Sequence, residues 1–257
     1  MHVIALFCGQ PATTLPAFDA TIEVHELPAL PSQRDLSFLR DAVGRFLPHD
    51  PTPSLDEIQR QPDVKPQGAP VFAPQQPTEQ VRIVVCGDDA ALSAVLTRLM
   101  RLDALWPDLA FVPTGDSVAA QNWQLDASWE FALTGPVRPV PLIRDDAGVA
   151  VAGSATVTEW DGKIITGEII VDDHTLLSPD SAYGARLVPT TNAPGLAAVR
   201  IGRRFFRPTL LADTLATGRA LQAGGLNLRV TIDGVSRKRP VEKATFYRHL
   251  RDVQLVR

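Results

Sequence analysis

"RIVVCGDDAALSAVLTRLM", residues 82–100, decides how this 257-residue chain is read. Ile83-Val84-Val85 form a continuous apolar run of the kind that is buried on both faces of a parallel sheet. Cys86-Gly87-Asp88-Asp89 then supply turn residues, and apolar side chains recur at three- and four-residue steps from Leu92 to Met100. Strand, tight turn and helix together outline a phosphate-binding element, in which backbone N–H groups at a helix start face an anion. Glycine normally dominates such a turn, because a Cβ keeps phosphate away from the backbone. Asp89 puts both a side chain and a negative charge there.

Outward from this stretch, "LAFVPTGDS" at 109–117 gives a second buried strand ending in a turn. Strand, helix and strand with short links argue for a parallel α/β sheet. Val3–Cys8 and Thr21–Leu27 add two strands, the second alternating apolar and polar. Ser32 caps an expected helix from Gln33 to Phe46, whose Leu36, Leu39, Val43 and Phe46 make one apolar stripe. Residues 48–80 carry eight prolines in 33 positions, a density that excludes regular helix and central strand. Only Ser54–Arg60 leaves room for a helical turn, and the segment is read as a surface excursion within the first domain. Its "PQQP" at 74–77 matches a polyproline ligand pattern, and no binding role is assigned to it.

From Val137 the texture changes to short alternating segments separated by Gly, Pro and Asp. "RDDAG" at 144–148 and "EWDGKI" at 159–164 read as hairpin turns. Thr166–Val171, Ala185–Pro189, Leu196–Ile201, Leu226–Ile232 and Asp252–Val256 read as further strands, and 210–222 as a short helix. The expected fold class is therefore a two-domain α+β protein. Residues 1–130 form an α/β domain with a mainly parallel sheet, and residues 131–257 form an antiparallel β-sandwich. Ligands favour the cleft between two such units and the carboxyl ends of parallel strands.

The net charge of −4 is unevenly spread. Residues 198–257 hold 13 basic and 4 acidic side chains, enough to attract phosphates or an anionic surface, or simply to balance an acidic N-terminal half. No apolar run reaches the roughly 18–20 residues that span a bilayer, and the first residues read as a strand rather than a secretory signal. Cys8 and Cys86 show no zinc spacing and read as buried thiols of a cytoplasmic protein.

Three segments resemble the diacylglycerol, sphingolipid and NAD kinase superfamily, and their contexts cover most of the chain. Cys86-Gly87-Asp88-Asp89-Ala90 stands where the family has Gly-Gly-Asp-Gly-Thr. "VPTGDSVAAQNW" at 112–123 is similar to its Pro-x-Gly-Thr-Gly-Asn-Asp segment, matching at Pro113 and Gly115. Asp233-Gly234 stands where the family has Asp-Gly-Glu or Asp-Gly-Asp before a closing strand. The resemblance implies an α/β nucleotide domain followed by a β-sandwich, with Mg²⁺ and ATP as cofactors of any active member. It implies Asp88 as the catalytic carboxylate, Gly87 and Gly115 as positions of close phosphate approach, and Asp233 near the metal. The departures fall on the residues that would handle phosphate or metal: Asp89, Asp116, Ser117 and Val235. The resemblance thus points to a ligand-binding or regulatory pseudo-kinase, the alternative being an active Mg²⁺-dependent phosphotransferase acting on a lipid or small-molecule hydroxyl.

Outside these segments, Asp172-Asp173-His174 reads as a strand-connecting turn in preference to a metal site. The other histidines lack metalloenzyme spacing, and no G-x-S-x-G marks a nucleophile. Arg203, Arg204 and Arg207 surround Phe205-Phe206, and Arg237, Lys238 and Arg239 form a second basic loop. If both loops faced the cleft they would make a site for an anionic small molecule or lipid. The alternative is charged protection of a sheet edge. No nucleic-acid partner is expected, and antiparallel edges in the second domain offer a route to a homodimer.

Overall fold

A computed structural model describes residues 1–13, 21–47, 67–179, 181–204 and 207–257. Ser54–Arg60 and Phe205-Phe206 lie outside the described residues. The first sheet contains β1 (His2–Cys8), β2 (Thr21–Leu27), β3 (Val81–Gly87), β4 (Asp108–Pro113), β5 (Val137–Val140) and the last strand of the chain, β17 (Val253–Val256). Its order is β2-β1-β3-β4-β17-β5, parallel throughout except for β5, which runs antiparallel to β17. Every residue of β1 and β3 is buried, because helices cover both faces. On one side Ile4, Leu6, Ile83 and Val85 meet α1 (Leu39–Gly44) and α2 (Asp89–Arg101). On the other side Val3, Ala5, Phe7 and Val84 meet α4 (Trp129–Thr134). Leu92, Leu96 and Leu99 of α2 are essentially inaccessible, and each such leucine contributes roughly 1.5–3 kcal/mol of burial. Cys8 packs on the α2 side and Cys86 on the α4 side, so the two thiols face away from each other across the sheet.

The helix expected over 33–46 is shorter than its pattern. Residues 33–38 form tight turns, and regular α-helix begins only at Leu39. Ser32 still acts at the start, exchanging hydrogen bonds with Asp35: the Ser32 N–H and hydroxyl donate to the carboxylate, and the Asp35 N–H donates back to Ser32 Oγ. Leu36, Leu39 and Val43 are buried as the stripe requires.

The second sheet has eleven antiparallel strands. Its first members are β6 (Ile143–Asp145), β7 (Ala150–Val151), β8 (Ala155–Glu159), β9 (Gly167–Val171) and β10 (His174–Leu177). They are followed by β11 (Gly184–Pro189), β12 (Leu196–Arg204), β13 (Arg207–Gly218), β14 (Ala220–Ile232), β15 (Val235–Ser236) and β16 (Val241–Arg248). The 13-residue β14 serves two layers: its first half pairs with β9 and β16, its second half with β8 and β15. The strand switches layers at Gly224-Gly225, and a Cβ on the facing Gly167 would strike the Gly224 carbonyl.

Three local expectations are corrected here. Residues 210–222 are strand, because pairing with β12 overrides the helical spacing; the Asp172 carboxylate closes the β13–β14 turn by accepting the Arg219 and Ala220 N–H groups. Asp161-Gly162 makes a turn but not a hairpin, since β8 pairs with β11 and β14 while β9 pairs with β10 and β14. Residues 252–256 do not extend the antiparallel layer: β17 returns to the first sheet and inserts between β4 and β5. The crossing is fixed by Arg248, whose guanidinium pairs with Asp252 at 2.9 Å and donates to Gly68 O at 2.7 Å. The Val71 N–H donates to the same Asp252 carboxylate at 2.9 Å.

Arg248 and Asp252 are both buried, so Asp252→Ala strands a guanidinium. The expected loss is about 3–5 kcal/mol in denaturant unfolding, against about 0.5 kcal/mol or less for Arg251→Ala at the exposed neighbouring position.

Candidate functional site at the junction of the two sheets

β3 ends at Gly87 with its neighbours tight around it. A Cβ there would lie 3.0 Å from the Cβ atoms of both Cys8 and Ala91, so close strand–helix packing favours glycine. Asp88 is the N-cap of α2, and its carboxylate accepts the Ala91 N–H at 2.8 Å. Asp89 opens the helix and turns its side chain toward the next βα connection. Its carboxylate accepts the Ser117 hydroxyl at 2.5 Å, the Val118 N–H at 2.9 Å and the Ala119 N–H at 3.2 Å. These donors stand at the start of α3 (Val118–Trp123), where Ser117 Oγ is also the N-cap acceptor for Ala120 N–H. The Asp89 carboxylate therefore occupies the donor cluster at the start of α3. Gly115 has open space where its Cβ would be, and Asp116 is exposed.

The second sheet contributes the opposite wall. Asp233 and Gly234 both adopt positive φ, 47° and 82°, in the turn joining β14 to β15. The Asp233 carboxylate accepts three N–H groups of the β7–β8 loop, from Ala152 (2.8 Å), Gly153 (2.8 Å) and Ser154 (2.7 Å). Asn122 of α3 donates to Gly153 O at 2.7 Å. Gly153 separates the two carboxylates. A Cβ placed on it would lie 3.1 Å from both Asp233 Oδ1 and Ala119 N, and would overlap Asp89 Oδ2. Burial pushes the Asp233 carboxyl up to about 7, and the nearby Asp89 charge adds to this, against the lowering effect of the three N–H donors. Burial likewise drives the Cys8 thiol up to about 12, with Cys86 and Asp88 adding, which leaves it unreactive at neutral pH.

Gly87, Asp88 and Asp233 thus come to one junction, joined by Asp89, Ser117 and Gly153. The basic residues do not converge there. Arg203 lies over the Tyr183 ring at 4.2 Å and donates to Gly162 O, while Arg204 pairs in register with Arg207 at the far end of β12–β13. Strand register explains the separation. Ala155 of β8 pairs with Ile232, next to Asp233, whereas Glu159 leads into the Gly162 turn, about 13 Å away along the strand. Arg237 lies nearer but is paired with the buried Asp145 at 2.7 Å and also with Asp146. Lys238 and Arg239 are exposed in the β15–β16 loop. Asp172-Asp173-His174 forms the β9–β10 turn. Among the described residues, no three His, Cys, Asp or Glu side chains are grouped to hold a metal ion.

Gly153 and Asn122 are the site residues that sequence reasoning passed over, and Ser117 entered it as a departure from the family pattern. Nothing local marks Gly153 inside "AVAGS" as the point where two carboxylates meet.

No protein-family profile and no curated protein matches the sequence. Solved structures do match along the whole chain. An NAD kinase from Archaeoglobus fulgidus in complex with ATP superposes with a TM-score of 0.54 at 14% identity, covering 100% of this chain and 94% of that one. A diacylglycerol kinase from Bacillus anthracis gives 0.61 at 7% identity, covering 99% and 96%. The chain has the two-domain fold of NAD and diacylglycerol kinases. No described helix is long and apolar enough to cross a membrane.

Two predictions follow from the paired carboxylates. In the unfolded chain Asp233 ionises near pH 4, but in the native state it holds its proton to about pH 7. The native state therefore binds more protons in this window, and stability falls as pH rises from about 4 to 7, by up to about 1.4 kcal/mol per pH unit. Asp233→Asn should flatten that slope, as read by denaturant unfolding at a series of pH values. Gly153→Ala should destabilise by about 1–3 kcal/mol in the same assay, since its methyl must displace Asp89.

Proposed function

We propose that this chain is a ligand-binding or regulatory protein built on the kinase scaffold, and that it does not transfer phosphate. The observation that carries this reading is the Asp89 carboxylate held on Ser117, Val118 and Ala119. An incoming phosphate needs free donors, and these three already serve an internal anion. It would also meet the Asp89 charge directly, a repulsion of about 4 kcal/mol per unit-charge pair at about 4 Å and an effective dielectric near 20.

The other residues of the junction support the same reading. Asp88, which the resemblance would make catalytic, is engaged as a helix cap. Asp233 holds a loop of its own chain through three N–H groups, and burial favours its neutral form. Val235 stands where the resemblance calls for an acid, and Lys238 and Arg239 are exposed beyond the hairpin. The residues present do not fit a Mg²⁺–nucleotide complex, and no chemical step is assigned to one.

Calorimetric titration of the purified chain with MgATP tests this, at protein concentrations that detect sub-millimolar affinity. The expected result is no saturable heat and no rise in melting temperature. One-to-one binding with thermal stabilisation would overturn the argument that the junction is closed to phosphate, and phosphate transfer from the bound nucleotide to a hydroxyl acceptor would establish the active phosphotransferase.

A further inference from the structure

A cleft of about 560 Å³ opens beside the carboxylate pair, bounded by α2, the segment before α1, the β6–β7 hairpin and the β14–β15 hairpin. This is a size at which small molecules are commonly enclosed, about 300–1,000 Å³. Leu30, Ala90, Ala94, Val230, Ile232 and Val235 make an apolar wall. At its lips Leu30 is 50% and Val235 45% exposed, an apolar surface left open to water.

Most polar groups that line the cleft have partners within the protein, but two buried atoms, Gln33 Oε1 and Arg237 Nε, have none. The Ser93 hydroxyl donates to Ala150 O at 2.6 Å, and Thr97 Oγ1 accepts the Ala150 N–H at 2.9 Å. Ser32 is bound to Asp35, Ser236 to Thr231, and the Gln33 amide donates to Ala94 O. Arg101 donates to the carbonyls of Ala147 and Gly148. Asp145 accepts the Val149 N–H and the Arg237 guanidinium, which Asp146 also engages. An anion gains little here, because Arg237 already carries Asp145 and Asp146 and Arg101 is held on two carbonyls, whereas an apolar ligand with a neutral polar group disturbs none of these arrangements and can satisfy the two unpaired atoms.

We infer that this cleft binds an uncharged, predominantly apolar small molecule, recognised by shape, by apolar contact and by a neutral polar group that reaches Gln33 Oε1 or Arg237 Nε. The inference names the ligand class for the non-catalytic reading above and rests on it, because the cleft shares α2 and the β14–β15 hairpin with the carboxylate junction.

A matched pair of fluorescent probes tests the ligand class. N-phenyl-1-naphthylamine is neutral, and 8-anilino-1-naphthalenesulfonate carries the same rings with a sulfonate. The neutral probe is expected to bind one saturable site at least about tenfold more tightly than the anionic one. Ala94→Trp, which fills the cleft from α2, should abolish that site, and Val235→Arg at the exposed lip should weaken it at least about tenfold. If Ala94→Trp does not fold, Val235→Arg decides alone. Equal or tighter binding of the anionic probe, or neutral-probe binding indifferent to the folded variants, overturns the inference.

Adding MgATP to the probe complex separates the two claims. MgATP that binds without displacing the neutral probe overturns the exclusion of phosphate from the junction alone, and MgATP that displaces it overturns that exclusion and the inference about the cleft together. Failure of the neutral probe to bind, with no MgATP binding either, overturns only the inference about the cleft.

Discussion

A chain that leaves its first sheet after β5 and re-enters it at β17 ties both ends of the second sheet to the first. Val253–Val256 pairs on one side with the parallel β4 and on the other with the antiparallel β5, so the parallel sheet is incomplete until the antiparallel one has been traversed. The buried Arg248–Asp252 pair sits at this crossing and also holds Gly68 and Val71 from the far end of the proline-rich stretch. Three stretches remote in sequence are thereby fixed at one place. The junction between the sheets inherits that rigidity, and loops from both can meet there with ångström-scale regularity.

What meets at that junction is dominated by carboxylates. Asp89 satisfies the start of α3 from within the chain, and Asp233 satisfies the β7–β8 loop in the same way. Each accepts N–H donors, and the Asp89 charge disfavours ionisation of Asp233 across Gly153. The balance is unequal: Asp89 has a hydroxyl donor in addition to two amides, while burial weighs most on Asp233 and moves its proton affinity toward neutrality. These carboxylates thus act as internal ligands that lock backbone to backbone, a structural role for residue types usually read as chemical.

Much of this was legible in the sequence, for a physical reason. Ile83-Val84-Val85, the α2 stripe and Asp233-Gly234 are local patterns, and local patterns survive when they agree with the surrounding packing. Residues 210–222 failed because their helical spacing competes with the antiparallel pairing of the 12-residue β13 along β12, which only the folded sheet supplies. Val253–Val256 looked like any other strand, since a short apolar run does not say which sheet it joins. The two arginine groups were equally undecidable. Their separation follows from the β8 register, a long-range pairing with no mark in either basic segment. Asp89 was noticed as misplaced, but its partners Ser117, Val118 and Ala119 lie 28–30 residues away.

The internal hydrogen bonding that engages the donors of the junction extends into the neighbouring cleft and gives it its character. A pocket built to hold an anion keeps donors unpaired and cations exposed, and pays for that in stability until the ligand arrives. Here Ser93, Thr97 and Arg101 bind the β6–β7 hairpin, and Arg237 is drawn onto two acids. The polar groups hold the walls apart, and the volume between them is left to Val230, Ile232 and the small side chains of α2. Ala90 and Ala94 matter most for this, because their smallness creates space on a helix that is otherwise packed by Leu92, Leu96 and Leu99. Larger residues at those two positions would let α2 close on the hairpin. Their smallness, on a helix whose first residue engages the donors at the start of α3, leaves an opening walled by apolar surface and by the unpaired Gln33 Oε1 and Arg237 Nε.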